Sequence, residues 1–147
     1  MGHFAKIIIN FLILYAIIVI AHKPKIHINY TIWVNDNVDI SYSRVFEVPY
    51  NSTFYEVMEI AANIDTRYIF NSTVDPKYGH FITEIGNYFQ NSSMNLYWFI
   101  YIMRNKPNVH TKPPKSLLSN YGVDNFTVKN HYNYLFWLRT YNPSEDF

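Results

Sequence analysis

Apolar and polar residues alternate strictly over Lys25–Val34, with isoleucine, tyrosine or valine at every second position. A period of two is typical of a β-strand with one buried face. A turn cluster at Asn35–Asn37 and a second run, Arg44–Val48, then predict a hairpin that ends at Pro49. The pattern therefore predicts a half-buried first strand, with Asn29 on its solvent-facing side.

Helical periodicity is convincing over one segment, Phe54–Ile64, where apolar residues recur at spacings of three and four. Thr53 and Glu56 form the pattern of a capping box, in which the threonine caps the helix and the glutamate reaches back. The apolar stripe of this helix is expected to face the core.

Further strands are predicted in the rest of the chain, separated by polar or proline-rich loops. The candidate strands are Tyr68–Phe70, His80–Ile85, Leu96–Met103, Phe126–Lys129 and Tyr134–Thr140. Leu96–Met103 is apolar on both faces, which predicts a central strand. The loop Asn105–Lys115, rich in proline and lysine, is expected to be extended. One amphipathic helix on a mixed or antiparallel sheet makes the fold class α+β, in a β-grasp-like arrangement.

The N-terminus has the three parts of a secretory signal peptide. Lys6 precedes the nearly continuous apolar run Ile7–Ile20, and Ala21 supplies the small residue at the cleavage position. This run is short for a bilayer span of about 20 residues, which favours cleavage over a retained anchor. The expectation is a signal peptide over residues 1–21 and a secreted, extracellular domain over 22–147, with its core at about 26–141 and no membrane attachment.

The composition of the chain excludes several classes of function. The 147 residues fit one domain, and a net charge of +1 lacks the basic footprint of a nucleic-acid binder. The absence of cysteine excludes a disulfide scaffold, a thiol nucleophile and cysteine-based metal sites. An aromatic content of 19% provides the material for a core without disulfides.

Asn-x-Ser/Thr glycosylation signals support the secretory prediction. They occur at Asn29, Asn51, Asn71, Asn91 and Asn125. A glycan, where attached, marks a solvent-facing position.

Four segments carry motifs of one family. The helix start Asn51–Ala62 is similar to the family's helix after a "vpegst" turn, and Gly79–Ile85 is similar to its G-Y-F-I-T-x-I strand. Tyr97–Phe99 is similar to its Y-W strand, and Gly122–Phe126 is similar to its G-V-S-N-Y loop. Together these segments resemble the C-terminal domain of the cobalamin carriers, transcobalamin and intrinsic factor, over most of Ile26–Tyr141.

This resemblance implies a ligand and a set of contacts. Such carriers are secreted and enclose vitamin B12 between a large helical domain and this small β-rich domain. The residues that the resemblance assigns to corrinoid binding are Tyr97, Trp98, Gly122, Val123 and Phe126, and aromatic rings suit a flat macrocycle. Because 147 residues leave no room for the helical domain, we expect a stand-alone half-site that binds cobalamin or a related corrinoid more weakly.

The chain departs from the family pattern in four places. Gly86-Asn87 reverses the family's Asn-Gly order, Asn130-His131 replaces an Asp-Gly turn, and the loop Asn105–Lys115 looks inserted. Asn125 places a glycosylation signal inside the loop that matches the ligand-facing one, where a glycan would block a corrinoid. The alternative is therefore an extracellular protein-interaction domain, with a second protein chain as its partner, that keeps the fold without the ligand.

An enzymatic function finds little support in the residues. No histidine pair has helical metal-ligand spacing and no nucleophile motif is present, so the chain is predicted not to be an enzyme and to hold no metal. One copper alternative stays open, because cleavage after Ala21 would place His22 at the mature N-terminus, where its amine and imidazole chelate Cu(II). The second ligand would then be one of His27, His80 and His131.

Overall fold

The computed structural model describes residues 24–146, so the predicted signal peptide and His22 lie outside the described residues. The elements are, in order, β1 (Lys25–Val34), β2 (Ile40–Pro49), α1 (Phe54–Ile64), β3 (Phe70–Asp75), β4 (Gly79–Ile85), β5 (Tyr88–Phe89), β6 (Leu96–Met103), β7 (Asn133–Thr140) and α2 (Pro143–Asp146). Short 3-10 helices lie between them at Thr66–Tyr68, Ser92–Met94 and Lys115–Leu117. Neither α-helix in this range has the length and hydrophobicity that crossing a membrane requires.

The strands form two sheets. The larger one has the order β2-β1-β7-β6, in which β1 and β7 are parallel and the other two pairs are antiparallel. The smaller one is the antiparallel sheet β3-β4-β5. One long helix with mixed and antiparallel sheets confirms the predicted α+β class, while the β-grasp-like arrangement stays a prediction.

Helix α1 begins and ends at the predicted residues, and its capping box is confirmed. The Thr53 hydroxyl accepts a hydrogen bond from the Glu56 backbone N–H at 3.3 Å. The Glu56 carboxylate in turn accepts from the Thr53 backbone N–H at 2.7 Å. These local interactions satisfy donors that a helix N-terminus leaves open, which is why the sequence alone locates the helix.

Strand β1 is buried on both faces, so the predicted half-buried strand is wrong. Tyr30 and Ile32 pack into the core on the α1 side of the sheet, whereas Trp33 packs into a second cluster. The second cluster contains Trp33, Tyr101, Leu135 and Trp137. Because the larger sheet is covered on both sides, its inner strands carry apolar side chains on both faces.

The prediction that Asn29 faces solvent is wrong. Its side chain is buried, and Nδ2 donates to Thr31 Oγ1 at 3.3 Å and to Asn133 Oδ1 at 3.1 Å. A glycan would be joined to this nitrogen. The predicted exposure of Asn29 is therefore wrong, and a glycan at this position would require the buried Asn29–Asn133 contact to open.

Strand β6 lies at the edge of the larger sheet, not at its centre as predicted. Both faces of β6 are apolar because each packs against a different cluster. Trp98 and Ile100 pack towards the first core, and Tyr101 lies in the second cluster. The free edge is partly covered by the loop after it, where the Ser119 backbone N–H donates to the Ile100 carbonyl at 2.8 Å.

Two other predicted segments, Tyr68–Phe70 and Phe126–Lys129, differ from the structure. Tyr68 belongs to a 3-10 helix, and the strand after it starts at Phe70. The predicted strand Phe126–Lys129 is reduced to a single bridge between Thr127 and Thr53, because the segment turns to meet the start of α1.

Buried tyrosine hydroxyls predict a loss of stability at alkaline pH. Burial raises the pKa of both Tyr68 and Tyr134 to about 12, against about 10 for an exposed tyrosine. Below pH 10 both groups are protonated in the folded and unfolded chain. As the pH rises from about 10 towards 12, the unfolded chain loses these protons first, so we expect the free energy of unfolding to fall.

Urea denaturation at a series of pH values between 8 and 12 measures this slope. Tyr68→Phe should make the fall shallower, because it removes one of the titrating groups. The matched control is Tyr50→Phe, at an exposed side chain. An equal change of slope in both variants would contradict the assignment.

Candidate functional site

A cavity of about 590 Å³ lies where strand β4 of the smaller sheet approaches strand β6 of the larger one. Its walls are formed by residues 80–82 of β4, residues 98–100 of β6 and the segment 118–123, together with Lys115, Phe136 and Tyr141. Most of these side chains are apolar or aromatic. We call this space the inter-sheet cavity, and its size lies in the range of small-molecule sites.

Trp98 contributes an aromatic wall to the cavity. Its ring packs edge-to-face against Phe136, with 5.9 Å between centroids and an interplanar angle of 79°. The indole Nε1 is buried and has no hydrogen-bond partner within the described part of the chain. An unpaired buried donor costs about 1–3 kcal/mol. A ligand that brings a hydrogen-bond acceptor within reach of this N–H would therefore gain affinity.

The segment 118–123 is held in place at both ends. At its start, the Ser119 hydroxyl donates to the Tyr121 carbonyl at 2.9 Å and accepts from the Tyr121 backbone N–H at 3.1 Å. At its end, the Val123 carbonyl accepts from the Tyr55 backbone N–H in the first turn of α1 at 3.0 Å. The helix start therefore fixes this wall of the cavity.

His80 is the ionisable side chain that β4 brings to the cavity. Its Nδ1 lies 2.9 Å from one Asp124 oxygen, and its backbone N–H donates to the other at 2.6 Å. Tyr55 stacks on the imidazole at 3.8 Å between ring centroids. Gly79 has a φ of +82°, and a side chain there would meet the Asp124 carboxylate. The Asp124 carboxyl group thus holds the imidazole and the start of β4 in one position beside the cavity.

The structure brings together three of the five predicted corrinoid contacts. Trp98, Gly122 and Val123 all line the inter-sheet cavity. Tyr97 and Phe126 are outside its lining. Phe126 instead stacks on Phe54 at 5.6 Å, with an interplanar angle of 18°, and so joins the core.

Sequence reasoning missed several cavity residues. His80 was considered only as a copper ligand, and Phe99, Ile100 and Tyr121 were not assigned to a site. His80 and Phe99 lie within segments that resemble the family, but the resemblance assigned no ligand contact to either of them. Their common position results from the approach of β4 to β6, which no spacing in the sequence reveals.

Exposed aromatic side chains border the cavity. Phe81 and Tyr121 are lining residues with 50% and 63% of their surface exposed. Asn125 is exposed close to this border, where its side-chain amide lies 3.4 Å from the Tyr78 carbonyl. A glycan at Asn125 would therefore stand beside the cavity.

The other predicted glycosylation positions are accessible. Asn51, Asn71 and Asn91 have exposed side chains. This exposure is compatible with glycans at all three, whose attachment stays a prediction.

The copper alternative gains nothing from the described residues. Over residues 24–146, no group of three histidine, cysteine, aspartate or glutamate side chains is placed to hold a metal ion. His27 and His131 border a second, separate cavity, whereas His80 borders the inter-sheet cavity.

Comparison with known proteins gives a fold and no family assignment. No family model matches the chain. It is 31% identical over 115 residues to the uncharacterized protein CG3556 of Drosophila melanogaster, a match that covers 78% of this chain and 19% of that protein. The chain thus spans about a fifth of the length of this relative.

Two solved structures have a similar fold. Haptocorrin in complex with Cbi matches with a TM-score of 0.60 and 18% identity, over 80% of this chain and 26% of haptocorrin. A protein from Ruminococcus gnavus, described as metal-binding, matches with a TM-score of 0.50 and 16% identity, over 79% of this chain and 98% of that one. At these identities the likeness concerns the fold alone. The chain has a cobalamin-carrier-like fold, as the resemblance in the sequence led us to expect.

Proposed function

We propose that this protein is a non-enzymatic binding module whose inter-sheet cavity takes part of a flat macrocyclic small molecule of the corrinoid class. The observation that carries the proposal is the meeting of Trp98, Gly122 and Val123 around one cavity of about 590 Å³. The similar fold of haptocorrin, which is in complex with Cbi, supports the choice of ligand class.

The cavity supplies both apolar contact and polar anchors. The Trp98 ring and the apolar side chains of β6 offer surface to a macrocycle, and burial of such surface favours binding. The Trp98 indole N–H has no partner among the described residues and is available to a polar group of the ligand, and His80 lines the same cavity. This combination of apolar walls with few polar groups is typical of small-molecule sites.

A corrinoid with its side arms is larger than this cavity, so a second body is needed to cover it. The exposed Phe81 and Tyr121 at the border give that body an apolar surface to contact. The chain matches only 26% of the haptocorrin chain, which contains further structure beyond the shared fold. We therefore propose a half-site that a second protein chain or domain completes.

The proposal predicts measurable binding of corrinoids by the secreted protein. Titration with cobinamide and with cobalamin, before and after glycan removal, should give saturable changes in corrin absorption and tryptophan fluorescence at micromolar concentrations. Trp98→Ala should weaken binding at least about tenfold, because it removes aromatic contact worth more than about 1.4 kcal/mol.

Tyr97→Ala is the matched control, because this neighbouring aromatic residue lies on the same strand but outside the cavity lining. It should leave the affinity nearly unchanged. Equal losses in both variants, or no binding before or after glycan removal, would contradict a corrinoid half-site.

A protein-interaction module without the ligand is the second candidate. The exposed Asn125 favours it, because a glycan there would crowd the border of the cavity. Corrinoid binding that appears only after this glycan is removed, for example in Asn125→Gln, would favour this second candidate, whereas binding by the glycosylated protein would decide against it.

A further inference from the structure

A second cavity, of about 320 Å³, lies where β1 and β7 begin and β6 ends. It shares no lining residue with the inter-sheet cavity. Its lining includes His27, Arg104, Lys106, His131 and Tyr132. We call it the cationic pocket, because the charged side chains that line it are basic.

Basic side chains at the cationic pocket are positioned by an aromatic ring. The Arg104 guanidinium carbon lies 4.8 Å from the centre of the Tyr132 ring. Lys129 is outside the lining, and its Nζ lies 5.6 Å from the same ring. Cation–π contacts of this kind hold a long side chain near one position, which lowers the entropy lost when it binds a ligand.

These cations are not neutralised by carboxylates. Among residues 24–146, no ion pair involves Arg104, Lys106 or Lys129. Glu47, which faces His27 across the β1–β2 pair, is already 2.6 Å from Lys25 Nζ and 3.5 Å from His27 Nε2. The pocket therefore has an excess of positive charge that a bound anion would balance.

Hydrogen bonds hold the floor of the cationic pocket, formed by Asn29 and Asn133, and the turn at Asn130–His131 in place. Asn29 and Asn133 are buried and hydrogen-bonded to each other, and Asn133 Nδ2 also donates to the Arg104 carbonyl at 2.8 Å. The His131 backbone N–H donates to the His27 carbonyl at 2.7 Å, and the Asn130 side chain accepts from the His27 backbone N–H at 2.9 Å. Both ends of the cationic lining are thus fixed before any ligand arrives.

We infer that the cationic pocket is an anion-binding site for a sulfate or phosphate ester group. A guanidinium can bind two oxygens of such a group at once, and lysine adds a point charge. A doubly charged or multi-oxygen anion matches a pocket lined by Arg104 and Lys106, with Lys129 nearby, better than a single carboxylate does. The volume of about 320 Å³ admits one esterified sugar unit.

Amide chemical shifts of the labelled protein in 0.15 M NaCl test this inference. The probes are inorganic phosphate, inorganic sulfate, glucose 6-phosphate and glucosamine 6-sulfate. We expect saturable shifts centred on Arg104, Lys106 and His131 with at least one ester. The preferred ester distinguishes a phosphorylated metabolite from a sulfated glycan as the source.

Charge variants separate a site from general attraction. Arg104→Gln and Lys106→Gln should each weaken ester binding at least fivefold, and Glu47→Gln should strengthen it about twofold. The matched control is Lys77→Gln, which removes the same charge from the β3–β4 turn. Thermal unfolding of each variant verifies that the fold is retained.

Two results would overturn the inference. One is the absence of saturable shifts with all four probes. The other is an equal loss of affinity in Lys77→Gln, which would show attraction by net charge alone. Because the inter-sheet cavity is untouched by these variants, cobinamide titration of the same samples reports on the proposed function independently.

Discussion

Phe54→Ala is expected to lower the free energy of unfolding by about 3–5 kcal/mol, since a large buried side chain is replaced by a cavity. Phe54 is fully buried at the first turn of α1. Its ring lies 5.1 Å from that of Tyr30, 5.2 Å from that of Tyr134 and 5.8 Å from that of Phe136. The ring therefore joins the helix to both central strands of the larger sheet.

Urea denaturation monitored by tryptophan fluorescence measures this loss. Phe89→Ala is the matched control, because the Phe89 side chain is 62% exposed. It should cost less than about 1 kcal/mol, as surface substitutions usually do. Similar losses in the two variants would contradict the assignment of Phe54 to the centre of the core.

The same position connects stability to the proposed function. The Phe54 backbone N–H donates to the Phe126 carbonyl, and the Phe126 ring stacks on the Phe54 ring. Since the next residue, Tyr55, holds Val123, loss of packing here should also loosen a wall of the inter-sheet cavity. Cobinamide affinity of Phe54→Ala should fall even at temperatures where the variant stays folded.

Local signals explain what the sequence predicted well. The bounds of α1 depend on Thr53 and Glu56, which act within one helical turn, and on an apolar stripe of period 3.6. The strands β1, β6 and β7 depend on runs of apolar residues that are recognisable without their partners.

Pairing between strands that are distant in the sequence explains why the strand order and the burial of Asn29 were not predicted. Strand β6 was predicted to be central because it is apolar on both faces, yet it is an edge strand, and β7 is a central one. The difference lies in the pairing of β1 with β7, which are separated by most of the chain. Asn29 was misplaced for the same reason, because its buried partner Asn133 belongs to β7.

The candidate sites also contain residues that local motifs revealed and residues that only the fold brings together. Trp98, Gly122 and Val123 were found through motifs that resemble a family, and all three line the cavity. Tyr97 lies next to Trp98 in the same motif but is not part of this lining, so the motif alone does not separate contact residues from their neighbours. The cationic pocket escaped notice because Arg104 and Lys129 come together only through the Tyr132 ring.

Gly86→Ala is expected to destabilise the fold by about 2–4 kcal/mol, through backbone strain and a collision. Gly86 has a φ of +59°, in the turn that joins β4 to β5. A Cβ at this position would lie 2.6 Å from the Arg67 carbonyl oxygen. Because that oxygen belongs to the backbone, no side-chain rotation relieves the contact, and the hydrogen bond from Gly86 N–H to the Ile69 carbonyl would be displaced as well.

The neighbouring Asn87 provides the control. Its φ of +68° is also left-handed, but asparagine tolerates this region, so Asn87→Gly should change the free energy of unfolding by only a few tenths of a kcal/mol. The double variant Gly86→Asn/Asn87→Gly restores the Asn-Gly order of the family that the sequence resembles, and urea denaturation should find it destabilised like Gly86→Ala. A double variant as stable as the parent protein would mean that the Arg67 carbonyl can move away from a Cβ at position 86. We expect the double variant to be destabilised instead, because the collision makes glycine necessary at this position.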